Sequence, residues 1–259
     1  MLKPQEFVET YAQIGSIKAK RPAFELLLLG ILAGLILGCA AAAAATASFC
    51  MPNLSLTRFV SSLVFPIGLV VIVFSGAELF TGNCLIAISV LDKKAKLAGM
   101  ARNLLIVYFG NFIGCASVAA VYAFGGAFDN TALAAAAVST ANAKCSLGFG
   151  QAFFLGALCN LMVCLGVVCA ISAKSASGKA VGAYLPVCLF IICGFEHSIA
   201  NMYFVPVGLF AAMRGAELPA ASNLSWLNFA IKNLVPVTLG NIAGGAGLGA
   251  LLWYCGRKK

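Results

Sequence analysis

Long apolar stretches alternate with short polar ones along this chain. After a polar head of about 22 residues, apolar sequence runs from Phe24 to Phe49, then over 59–91, 103–127, 148–172, 181–213 and 229–254. A helix needs about 20 apolar residues to cross a bilayer core, so each stretch predicts a span. The second and fifth are too long for one simple helix and carry polar residues midway, which predicts helices that break inside the membrane. The fold expected is an all-α polytopic membrane protein with six transmembrane helices, the second and fifth broken. Residues 1–22 form a cytoplasmic N-terminal segment and 23–256 a single six-span domain. Lys18, Lys20 and Arg21 before Pro22 look like the basic start of a signal peptide. The apolar stretch behind them is too long for one, so it is read as a retained first span.

Composition agrees. Of 259 residues 62% are apolar and 10% charged, whereas soluble domains are about a quarter charged. That excludes a soluble globular protein, and also disorder, which needs low hydrophobicity. The net charge of +9 rests on only 17 Lys and Arg, too few for a nucleic-acid-binding face. The same charges give direction. With the N-terminus inside, inner segments carry Lys3, Lys18, Lys20, Arg21, Lys93, Lys94, Lys96, Arg102, Lys174, Lys179, Arg257, Lys258 and Lys259. Outer segments carry Arg58, Lys144, Arg214 and Lys232. This asymmetry follows the positive-inside rule and places both termini in the cytoplasm.

Eleven cysteines, most of them inside apolar runs, include no Cys-x-x-Cys pair, and the single histidine is not spaced as their partner. A metal site is not expected. Cysteine serves here as a small apolar filler at close helix contacts.

The two halves share motifs in the same order. Gly76, Glu78 and Asn83 repeat at Gly194, Glu196 and Asn201 as G-x-E-x-x-x-x-N; Asn103, Leu104, Val107, Gly110, Asn111 and Gly114 repeat at Asn233, Leu234, Val237, Gly240, Asn241 and Gly244. A weaker match links Leu29-Gly30 to Leu155-Gly156. The repeat unit holds three spans, about 23–127 and 148–256. An odd number of spans forces the two copies to enter the membrane from opposite sides, as inverted repeats. In such folds the transport path lies between the halves, near the midplane, where helices are discontinuous.

Polar residues inside these spans need a reason. A carboxylate at a helix centre costs roughly 2.5–3.5 kcal/mol. Glu78 and Glu196, with Asn83 and Asn201, are read as supports for non-helical backbone in both halves, with substrate or proton handling as the alternative. His197 is the only histidine, sits in the interrupted part of the fifth span and has no counterpart in the first half. Imidazole titrates nearest physiological pH, so it suits hydrogen bonding or proton relay to a small anion. Thr81 offers a hydroxyl to the same cavity, or a local turn bond. Asn160 stands where the first half has Gly34. Lys144 is either a solvated loop charge or an attractor of anions.

Taken together, Phe-Ser-Gly-Ala-Glu-Leu-Phe-Thr-Gly-Asn (74–83) and Gly-Phe-Glu-His-Ser-Ile-Ala-Asn-Met (194–202) resemble the formate/nitrite transporter family. Residues 107–111, 160–165 and 233–241 support the resemblance, which runs from about residue 20 to the end. It implies an aquaporin-like fold of two inverted halves, and a homopentamer in a prokaryotic inner membrane with one pore per subunit. It implies a pathway through His197, Thr81, Lys144 and Asn160, and apolar constrictions at Phe65, Leu69, Leu79, Phe80 and Phe190. It implies transport of small monovalent anions of weak acids, namely formate, nitrite or hydrosulfide, with formate favoured, protons as a possible co-substrate, and no cofactor. Aquaporin's paired Asn-Pro-Ala loops and the paired histidines of ammonium channels are absent from the sequence. So is the His-Glu-x-x-His of a zinc intramembrane hydrolase, and both aspartates, Asp92 and Asp129, lie in connections. A Ser–His hydrolase built on Ser75 or Ser198 is the remaining reading of another class.

Overall fold

The computed structural model describes residues 1–257; Lys258 and Lys259, counted above among the inner charges, lie outside the described residues. Every regular element among the described residues is helical. Six helices are long and apolar enough to cross a membrane: Ala23–Ser48, Leu54–Ser75, Leu97–Phe124, Phe149–Ser172, Ala176–Cys193 and Trp226–Gly256. Two shorter apolar helices, Phe80–Leu91 and Ser198–Met213, complete the second and fifth spans. The chain is a multi-pass all-α membrane protein.

Both broken spans stop in the same way. The second runs to Ser75 and ends at Gly76 with φ 69°. The fifth runs to Cys193 and ends at Gly194 with φ 70°. This left-handed conformation suits glycine because a Cβ would clash. Three residues of open backbone follow each glycine before the helix resumes at Phe80 or Ser198. The second span also bends at Phe65-Pro66, where proline lacks the N–H that a continuous helix needs.

Small residues bring the spans together. A Cβ on Gly30 of the first span would lie 3.2 Å from Cα of Gly110 in the third. One on Gly156 of the fourth would lie 2.7 Å from the Val237 carbonyl of the sixth. Without a hydrophobic drive in lipid, such close backbone approach supplies the packing. All eleven cysteines are free, and several do sit at such contacts: Cys115 Sγ donates to the Gly34 carbonyl at 3.2 Å.

Two helices lie in segments where no helix was predicted. Pro4–Lys20 starts in a capping arrangement, with the Lys3 N–H donating to the Glu6 carboxylate at 2.8 Å. It buries Phe7, Val8, Tyr11 and Ala12 in a cluster with Leu85, Ile88 and Cys164. Thr131–Cys145, rich in alanine, begins at Asn130, whose side chain accepts from the Leu133 N–H.

Candidate functional site

Each break leaves peptide groups with no helical partner, in a region where water is scarce. An asparagine of the following span closes each one. Asn111 Nδ2 donates to the carbonyls of Gly30 and Glu78 at 2.8 and 2.9 Å, and its Oδ1 accepts from the Phe80 N–H at 3.0 Å. Asn241 does the same in the other half, toward Gly156 and Glu196 at 2.8 and 3.0 Å and from Ser198 N–H at 2.9 Å. The Glu78 N–H reaches the Leu29 carbonyl, and the Glu196 N–H that of Leu155.

The two buried glutamates are held by matching sets of partners. Asn83 Nδ2 donates to Glu78 Oε2 at 2.6 Å and to Asn103 Oδ1; Asn201 Nδ2 donates to Glu196 Oε2 at 2.7 Å and to Asn233 Oδ1. Lys144 Nζ donates to both oxygens of Glu196, at 2.9 and 3.1 Å. Lys18 Nζ reaches Glu78 Oε2 at 2.7 Å and Asn83 Oδ1 at 3.0 Å. The match extends to the lysine backbones, since Asn103 donates to the Lys18 carbonyl and Asn233 to that of Lys144. The halves differ in their cations: Lys18 shares itself between Glu78 and Asn83 Oδ1, whereas Lys144 gives both bonds to Glu196. Glu78 has a second cation, Arg21 at 3.0 Å, whereas Lys144 is the only cation within ion-pair distance of Glu196 among the described residues.

The two breaks meet at the centre of the protein. Thr81 Oγ1 and His197 Nε2 lie 3.0 Å apart, both buried. His197 is also the N-cap of its helix: Nδ1 accepts from the Ala200 N–H at 3.0 Å. That bond assigns the neutral ring its tautomer, with the proton on Nε2. Nε2–H therefore donates toward Thr81. The Phe190 ring stacks over the imidazole, with centroids 5.9 Å apart and planes 14° apart. Asn160 Nδ2 ties the Thr81 carbonyl, at 3.2 Å, to the Asn241 carbonyl, at 2.6 Å. One asparagine thus spans both halves at the point where the first half has only Gly34.

Beside His197 is a narrow apolar cavity of about 10 Å³, lined by Leu37, Phe65, Leu69, Leu79, Val163, Val187 and Phe190, with room for about one water molecule. Phe65 and Phe190 meet edge to face across it, 6.1 Å between centroids. Of the five predicted constriction residues, Phe80 is not part of this lining. Its ring packs on Tyr108 instead, with centroids 4.9 Å apart. Leu37, Val163 and Val187 were not predicted, because an apolar residue within an apolar span carries no signal. Phe65 also borders a vestibule of about 600 Å³ whose charged lining residues are Arg58, Lys144 and Glu196.

The structure thus brings Thr81, His197 and Asn160 together, and places Lys144 at the vestibule on Glu196. Sequence reasoning missed Lys18, Asn111 and Asn241 as parts of the site. The offset of 126 residues that relates Leu29 to Leu155 also relates Lys18 to Lys144, and was a signal that could have found the lysine.

Comparison with known proteins adds to this geometry. The family described as "Formate/nitrite transporter" matches residues 5–255. A "Probable formate transporter" of Methanothermobacter thermautotrophicus is 34% identical over 277 residues, covering 99% of this chain and 97% of that one. A "Formate channel FocA" of Haemophilus influenzae is 35% identical, covering 95% and 91%. A solved "Pentameric formate channel with formate bound" superposes with a TM-score of 0.79 at 35% identity, covering 90% of this chain and 96% of that one.

Proposed function

Because the chain belongs to the formate/nitrite transporter family, we propose that it is a membrane pore for a small monovalent weak-acid anion, with formate as the favoured substrate and nitrite or hydrosulfide as the alternatives. The observation that carries this reading is the Thr81–His197 contact at the junction of two broken helices, next to an apolar constriction. A bare anion loses its hydration there at large cost, whereas a neutral acid loses little. An anion arriving at His197 accepts a hydrogen bond from Nε2–H or the Thr81 hydroxyl. A proton that enters with it from the water of the vestibule neutralises it there, and it passes the apolar ring as the acid. Passage in that form carries a proton with each anion.

The residue-by-residue pairing of the two breaks supports inverted repeats. It also supports extending the repeat unit outward to include the helices Pro4–Lys20 and Thr131–Cys145. The assembly proposed is a homopentamer, in keeping with the relative described as a pentameric formate channel, with a pore in each subunit. The membrane is a prokaryotic inner membrane with both termini cytoplasmic, in keeping with the charge asymmetry of the connections. Thr81, His197, Asn160 and Lys144 lie on the pathway, and the remaining residues of the breaks hold its shape.

Uptake into proteoliposomes tests the reading. Formate, nitrite and hydrosulfide are offered separately at several external pH values, with an internal pH dye. Selective formate flux that acidifies the lumen and rises with external acid is expected. No flux of any of the three from an intact oligomer would overturn it.

A further inference from the structure

The vestibule above the constriction is lined by two cations and one carboxylate. Lys144 is committed, because its ammonium donates to both oxygens of Glu196. The pair is mutually neutral, so it presents little net field to an approaching anion. Arg58 has no carboxylate within 4 Å among the described residues. A guanidinium is a fixed positive charge. The net positive charge of this vestibule therefore belongs to Arg58.

Its position is fixed by the fold. Leu54, Thr57, Arg58, Ser61 and Phe65 all line the vestibule. Their spacing of three and four residues puts them on one face of the helix. Arg58 precedes Phe65 by seven positions, so its Cα stands about 10 Å back along the helix from Phe65. The guanidinium lies flat against the second break: a Cβ on Gly194 would come within 2.7 Å of an Arg58 nitrogen and 2.8 Å of Cζ. Gly194 ends the helix Ala176–Cys193, and a cation belongs at the partial negative charge of a helix C-terminus.

We propose that Arg58 is the anion-capturing residue of this vestibule, where the charge of Lys144, which also lies on the pathway, is taken up by Glu196. The inference rests on reading the protein as an anion pore. Arg58 concentrates a small monovalent oxyanion at the mouth and acts before the constriction. It therefore governs half-saturation and not maximal flux. At vestibule distances of several ångströms in a watery mouth, one charge changes anion occupancy roughly threefold and a charge reversal roughly tenfold. The effect decays with salt, since the Debye length is about 10 Å at 0.1 M.

The test is a charge series at one position, Arg58→Lys, Arg58→Gln and Arg58→Glu, in proteoliposomes with formate added on the vestibule side. Formate flux by the parent chain is the internal control, since its absence would sink the pore reading itself. With parent flux present, half-saturation should rise in the order Arg and Lys, then Gln, then Glu, at unchanged maximal flux. The salt dependence of flux at low formate should vanish in Arg58→Gln and invert in Arg58→Glu. The inference fails if half-saturation and salt slope stay at parent values in Arg58→Gln and Arg58→Glu. It fails equally if the loss tracks oligomer yield instead of charge, with Arg58→Lys as impaired as Arg58→Glu.

Discussion

Thr81 and His197 touch at 3.0 Å although 116 residues separate them in the chain. His197 caps the helix that follows its break and Thr81 lies in the first turn of the other, so the contact joins the two halves of the molecule through a hydroxyl and an imidazole. The ring is held at its other nitrogen by the Ala200 N–H, which leaves Nε2 as the ring donor aimed at Thr81. Orientation and tautomer are thus set by the backbone of the histidine's own helix.

Capping and donation can therefore be separated. His197→Asn keeps a good N-cap but is too short to reach Thr81. The variant should assemble with a melting temperature within a few degrees of the parent, yet lose the proton that accompanies formate. His197→Phe loses both roles and should cost about 1 kcal/mol in addition. Simultaneous flux and lumen-pH recordings decide the matter. Parent-like acidification by His197→Asn would remove the ring from the mechanism.

Lys144 and Glu196 should behave as a coupled pair. Removing the ammonium in Lys144→Met strands a buried carboxylate, and breaking such pairs costs roughly 3–5 kcal/mol. Adding Glu196→Gln should restore most of that loss, because the amide oxygen still accepts from Asn201. A thermal-unfolding double-mutant cycle in detergent measures the coupling, and additivity of the two single changes would contradict the ion pair.

The same change in the other half should be milder. Lys18→Met leaves Arg21 on Glu78, 3.0 Å from Oε1. A destabilisation of about 1 kcal/mol is expected, well below that of Lys144→Met, and the gap should close in the Lys18→Met/Arg21→Gln double variant. Equal losses for the two single lysine changes would show that Arg21 does not shield the glutamate.

The break glycines offer a matched comparison. Gly76 and Gly194 share nearly the same positive φ, but a Cβ at Gly76 meets nothing within 4 Å whereas one at Gly194 meets the Arg58 guanidinium. Alanine at either position should cost about 1–2 kcal/mol of backbone strain. Gly194→Ala alone should also raise half-saturation for formate, by displacing Arg58. Unfolding and flux curves on the two variants check both parts.

The six spans and the two breaks were legible because lipid imposes a length on apolar runs, and because Gly76-x-Glu78 and Gly194-x-Glu196 interrupt them with residues that a continuous helix would not favour. Asn83 and Asn201 were legible as supports for the same reason. Lys18 was hidden. It sits in a polar head, 60 residues before Glu78, and only chain reversal by the helix Pro4–Lys20 brings it back under the break. Asn111 and Asn241 appeared as repeat markers, but their partners are carbonyls, which carry no side-chain signature. The helix Thr131–Cys145 was passed over as a connection because its residues follow no clear apolar period, although alanine favours helix on its own account. Phe80 was expected at a constriction, and its ring packs on Tyr108, outside the small cavity beside His197. Direction around a helix cannot be read where every neighbour is apolar.

The closing asparagines bear on biogenesis. Asn111 follows Phe80 by 31 residues, and Asn241 follows Ser198 by 43. A ribosome adding about 5–20 residues per second needs roughly two to six seconds to cover the shorter interval. During it the second span has open peptide groups and nothing to close them. Release of that span singly into lipid would strand those groups, so the insertion machinery must retain the second span until the third arrives, and the fifth until the sixth. The second and third spans, and the fifth and sixth, are expected to enter lipid as pairs, and truncation between such partners should yield chains that the cell degrades.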